Sequence, residues 1–83
     1  MGRYDHNILT ALLSTGQPMG VHELLQNIQL SPGHLHPALA RLENAGLINS
    51  EREPQTQAGH PPRRMYTLTA AGARRARALT GNA

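Results

Sequence analysis

Cysteine is absent, so neither disulfides nor cysteine-bound zinc can brace this chain, and nothing points to an oxidising compartment. No run approaches the ~20 apolar residues that a membrane span needs. The opening MGRYDHN carries no apolar stretch of the signal-peptide kind. The expectation is a soluble cytoplasmic protein with no membrane partner. Lysine is missing as well, and all eight basic side chains are Arg. Acids are missing from one end only. Residues 1–53 hold three Arg against five acids, whereas residues 54–83 hold five Arg and no acid. Arg makes bidentate contacts to guanine and phosphate, so this end suits a nucleic acid. A GC-rich genome also replaces Lys by Arg, but it does not gather the Arg at one end.

Eighty-three residues make one domain, 1–83, with a core small enough to be marginal without a partner. No paired carboxylates, nucleophile motif or Gly-rich phosphate loop stands out, so no enzyme is expected. The five His give no metal reading: His22, His34 and His36 form no i,i+4 pair on one helix, and acids are scarce beside them. No metal or cofactor is expected. Histidine protonation near phosphates would favour binding at lower pH.

The informative stretch is residues 31–48, SPGHLHPALARLENAGLI. Ser31 is a good N-cap and Pro32 fits the first helical position. Leu35, Leu39, Leu42 and Ala45 recur at helical spacing, and Gly46 supplies a left-handed exit. The opposite face carries Gly33, His34, Pro37, Ala40, Arg41 and Asn44, with no acid before Glu43. A helix with one apolar face and a small, polar N-terminal half suits the major groove of DNA. Pro37 removes the hydrogen bond to Gly33 and biases His36 away from helix, which predicts a distorted first turn or a kink.

Around it the pattern predicts a first helix over residues 4–15, with Ile8, Ala11, Leu12 and Thr15 as one stripe, broadened by Leu9 and Leu13, and Gly16 at its end. A connector follows, with an edge-strand residue or two near Met19. A short second helix covers residues 21–28, with Val21, Leu24, Leu25 and Ile28 inward. After residue 46 the period changes to two. Residues 47–53 and 63–69 read as paired strands, Arg64, Tyr66 and Leu68 sharing one face. Between them the proline-bearing residues 54–62 read as a projecting, mobile loop. Thr69 caps a last helix over residues 70–80, whose face Ala70, Ala73, Ala76 and Leu79 would pack on the core or another subunit. The class is mainly α with a small β-hairpin (α+β). The order α-α-α-β-wing-β-α makes a winged helix-turn-helix: helix-turn-helix 21–46, wing hairpin 47–69, C-terminal helix 70–80.

Three pieces carry a family resemblance. They are residues 8–13, ILTALL; residues 33–39, GHLHPAL, with Arg41-Leu42-Glu43 and Gly46-Leu47-Ile48; and residues 63–69, RRMYTLT, with Gly72. On these the chain resembles PadR-like winged-helix transcriptional regulators, within the wider MarR/PadR group. Family members carry Tyr where this chain has His36. They also continue into long C-terminal helices that form the dimer and most of the ligand pocket, whereas this sequence stops at Ala83. No small-molecule effector is therefore expected.

The resulting expectation is a sequence-specific regulator of transcription, a repressor acting as a homodimer on an inverted repeat of double-stranded DNA. The DNA-facing set is Ser31, Pro32, Gly33, His34, His36 and Pro37 on the third helix, with Arg41 nearer a phosphate. Arg63, Arg64 and His60 in the wing complete it, Arg64 having Glu51 or Glu53 as a possible ion-pair partner. Arg74, Arg75 and Arg77 read as a solvated face. The first and last helices would supply the dimer contact. Two alternatives belong to other classes: an architectural, replication or excision DNA-binding protein, and a winged helix used as a protein-interaction module.

Overall fold

The computed structural model describes residues 3–52 and 63–81. Helix α1 (Arg3–Thr15) is followed by strand β1 (Met19–Gly20), then helices α2 (Val21–Asn27) and α3 (Pro32–Asn44). Strands β2 (Ile48–Arg52) and β3 (Arg64–Leu68) follow, and helix α4 (Ala70–Thr80) comes last. The strands form one antiparallel sheet in the order β1-β3-β2. The edge residues expected near Met19 are β1, with Met19 opposite Tyr66 and Gly20 opposite Met65. This is the α+β winged helix-turn-helix expected from the sequence.

The core lies where the three N-terminal helices meet the sheet. Ile8, Leu9 and Leu12 of α1, Leu24 of α2, Leu35, Ala38, Leu39 and Leu42 of α3, Ile48 and Tyr66 are buried in it. Two expected stripes differ at their C-terminal ends. On α1, Ile8, Leu9 and Leu12 are buried and Ala11 and Leu13 half-buried as expected, but Thr15 is exposed. On α3, Ala45 is exposed and Ala38 takes the inward place, because Ala45 is already the C-cap. There the Leu47 N–H reaches the Leu42 carbonyl and the Gly46 N–H reaches that of Glu43, both at 3.0 Å, with Gly46 at φ +77°. This Schellman closure satisfies the last carbonyls of α3 and turns the chain directly into β2.

Helix α3 runs unbroken through Pro37. The hydrogen bond that Pro37 removes falls on the Gly33 carbonyl, and both residues are exposed, so water can replace the missing donor. The first turn is tightened instead. The Ser31 carbonyl accepts from the N–H groups of both His34 (3.0 Å) and Leu35 (3.2 Å).

Thr69 joins the end of α3 to the start of α4. Its hydroxyl oxygen accepts from the Gly72 N–H at 3.0 Å, the N-cap bond of α4. The same hydroxyl donates to the Gly46 carbonyl at 2.7 Å, and the Thr69 N–H donates to that of Leu47 at 3.1 Å. Gly72 then packs so closely on the chain that a Cβ there would collide with the Leu47 carbonyl. That contact sets the rotation of α4. Gly72 and Ala76 are buried, Ala73 and Leu79 are half-buried, and Ala70 is exposed, so only part of the expected face packs on the core.

Candidate nucleic-acid interface

The exposed side of α3 begins at its N-cap. Ser31, Pro32, Gly33, His34, His36 and Pro37 are all exposed. Ser31 has the extended backbone of an N-cap, yet its side chain caps no N–H. Its Oγ lies 2.8 Å from His34 Nδ1 instead. The other side of the His34 ring meets Tyr4 of α1, with centroids 5.4 Å apart and the rings tilted by 41°. A hydroxyl and an aromatic ring thus aim His34 outward, and Ser31 serves the side chain of α3 rather than its backbone.

Arg41 has a second task. Its Nη2 lies 3.1 Å from Oδ1 of Asp5, a side chain only 5% exposed, while Arg41 itself keeps 54% of its side-chain surface in solvent. A buried carboxylate without a partner is costly, so this ion pair fastens α1 to α3. The sequence reading placed Arg41 by a phosphate and passed over Asp5. The available signal was that Asp5 stands one turn before Ile8 and Leu9, on the buried side of the first helix.

The wing is fastened at two points. Arg63 Nη1 lies 3.2 Å from Oε2 of Glu23, tying the start of the returning strand to α2. Glu23 also accepts the Gly20 N–H at 3.1 Å, closing the first turn of α2. Its own backbone N–H above all, then the Arg63 charge and the Gly20 N–H, hold the Glu23 carboxyl below its ordinary value against an opposing push from burial. Arg64 does not make the expected ion pair with Glu51. Glu51 stands opposite Met65, on the other face of the hairpin. Arg64 Nη1 donates instead to Ser50 Oγ at 2.9 Å, and the Ser50 hydroxyl donates to Oε2 of Glu43 at 2.7 Å. This relay runs from β3 through β2 to the C-terminal half of α3. Glu53 and His60, like residues 54–62 as a whole, lie outside the described residues.

A further feature went unnoticed in the sequence. Strand register puts Arg52 directly opposite Arg64 at the end of the hairpin that leads into the connecting loop. The arginines of α4, Arg74, Arg75 and Arg77, are exposed. Among the described residues no group of three His, Asp or Glu could hold a metal ion. No described helix is long and apolar enough to cross a membrane.

The family model described as the transcriptional regulator PadR-like family matches residues 19–78. Among solved structures the chain is similar to a PadR-like transcription factor from Bacteroides fragilis, at 28% identity and a TM-score of 0.79, covering 93% of this chain and 76% of that one. It is also similar to a MarR-family transcriptional regulator from Porphyromonas gingivalis W83, at 25% identity and a TM-score of 0.81, covering 96% and 74% of the two chains. The circadian clock associated protein Pex from Anabaena has 26% identity and a TM-score of 0.75, with 93% and 70% covered. No curated protein sequence matches.

Proposed function

The chain belongs to the PadR-like family of transcriptional regulators, and from that premise we propose that it is a cytoplasmic repressor that binds an inverted repeat as a homodimer. DNA binding and transcriptional regulation come with the family, whose members are not enzymes. The finer reading divides the chain into a helix-turn-helix at 21–46, a wing at 47–69 and a C-terminal helix at 70–80. In it the N-terminal half of α3 enters the major groove, with Pro32, Gly33, His34 and His36 nearest the bases and Ser31 and Pro37 beside them. Arg41 turns its exposed side to a phosphate while it holds Asp5. Arg63 and Arg64 lie against the flanking minor groove or its phosphates.

One observation carries this reading. The exposed face of α3 has no acid before Glu43, and Glu43 itself is engaged through Ser50 with Arg64 of the wing. Recognition helix and wing are thereby held as one surface. Repression follows by occlusion. Two copies place their α3 helices in successive major grooves ~34 Å apart and block other proteins from the site. Leu13 of α1 and Leu79 of α4 pack on the core but stay partly exposed, and that remaining apolar surface supports pairing through these two helices.

Selection from a random duplex pool at two salt concentrations tests the proposal. The expected result is an enriched palindrome with half-sites ~10 bp apart. Steeply salt-dependent binding with no enriched motif would replace it with an architectural role. Absence of binding at low salt would replace it with a protein-interaction module.

A further inference from the structure

We propose that Arg52 and Arg64 form a two-guanidinium clamp for a phosphate at the stem of the wing, occupied by a backbone phosphodiester of bound DNA. The proposal deepens the DNA-binding reading and rests on it. The register of β2 and β3 sets these two residues face to face, and both are exposed. Residues directly opposite in an antiparallel pair have Cβ atoms about 5 Å apart, and like charges there destabilise the pair. A hairpin that only needed solubility would place an acid across from one of them. Among the described residues of the hairpin the acid at hand is Glu51, which is on the other face, opposite Met65.

Local compensation is partial. Arg64 gives one N–H to Ser50, whose hydroxyl is turned to Glu43, so the carboxylate reaches Arg64 only through that oxygen. The Arg52 side chain makes no hydrogen bond or ion pair with any described residue. Among the described residues, two planar donor groups therefore share one sheet face with a single indirect countercharge. A phosphate offers two unesterified oxygens, one for each guanidinium, and its charge removes the repulsion. The seat also has a defined location. Arg52 and Arg64 continue the sheet face of Ser50, and Ser50 touches α3 through Glu43. The clamp would hold the backbone at the stem of the wing, beside the recognition helix.

Two measurements on the full chain test this. The first follows thermal unfolding of wild type and Arg52→Ala with and without inorganic phosphate at constant ionic strength. Without phosphate, Arg52→Ala should melt at the same temperature as wild type or above it, because a repulsion is gone. Phosphate should raise the melting temperature of wild type more than that of the variant. A variant that melts lower without phosphate, or an equal shift in both proteins, overturns the clamp. The second follows duplex affinity against salt. Arg52→Ala should lower the slope of log K against log salt by about 0.9, one phosphate contact, on every sequence, while Arg52→Lys keeps the slope. Wild-type binding with an unchanged slope in Arg52→Ala overturns the clamp and leaves the DNA reading standing. A selective phosphate shift without duplex binding by wild type overturns the DNA reading and makes the seat one for free phosphate.

Discussion

Asp5 and Arg41, thirty-six positions apart, meet at 3.1 Å with the carboxylate buried and the guanidinium half in solvent. The pair makes the first helix a brace for α3. Arg41→Ala would leave the carboxylate buried with its main cation gone, and should cost about 2 kcal/mol in urea unfolding. Adding Asp5→Asn to that variant should restore more than half of the loss, because a neutral amide is cheaper to bury. Equal losses in the single and double variants would show that the pair contributes nothing.

The two helix caps should respond in opposite ways to the same change. Replacing an N-cap Ser or Thr by Ala ordinarily costs about 1 kcal/mol. Ser31 makes no side-chain cap bond, so Ser31→Ala should cost less than about 0.5 kcal/mol, with its effect appearing in base preference through His34. Thr69 serves the Gly72 N–H and the Gly46 carbonyl together, so Thr69→Ala should cost about 2 kcal/mol. Denaturant midpoints of the two variants decide it.

Glycine substitution should divide likewise. Ala is favoured over Gly in a helix by about 1 kcal/mol. At Gly33 an added Cβ meets only Ser31 Oγ at 3.9 Å, so Gly33→Ala should stabilise the protein while weakening duplex binding, where the backbone approaches the groove. At Gly72 the Cβ runs into the Leu47 carbonyl, and Gly72→Ala should destabilise by about 2 kcal/mol or more. Calorimetric melting of both variants, with duplex titration of the first, checks the contrast.

Glu23 sets a pH signature. Its carboxyl titrates below the ordinary 4.5 in the folded protein. Its contribution to stability is therefore fully present above pH 4.5 and is lost as the pH falls through the lowered folded value. The melting-temperature difference between wild type and Glu23→Gln should be constant from neutrality down to that region and shrink below it. A difference that grows in acid would mean the carboxyl is not favoured by folding.

Ser50 should matter to binding more than to folding. Ser50→Ala removes the oxygen between Arg64 and Glu43 without removing a charge. Stability should fall by no more than about 1 kcal/mol. Duplex affinity should fall several-fold with the salt slope retained, since the cation is still there but no longer held. Filter-binding titrations across a salt series measure both quantities.

Much of this architecture is legible in the chain because its signals are local. The change of period after residue 46, the Gly at 46 and the Thr at 69 place three elements without knowledge of any other. What stayed hidden depends on distant partners. Arg41 reads as a free cation until Asp5 is found beneath it. The α4 stripe reads as Ala70, Ala73 and Ala76 until the Gly72 contact with Leu47 rotates the helix. The Arg52–Arg64 pairing depends on register, which Arg52, at the edge of a proline-rich stretch, does not disclose.

Thr69 has one more consequence. A single hydroxyl is the end stop of one helix and the starting post of the next, and Gly72 presses that joint against the backbone that leaves α3. A shift in the first turn of α4 is therefore passed to Gly46, at the foot of α3, with no spacer between them to absorb it.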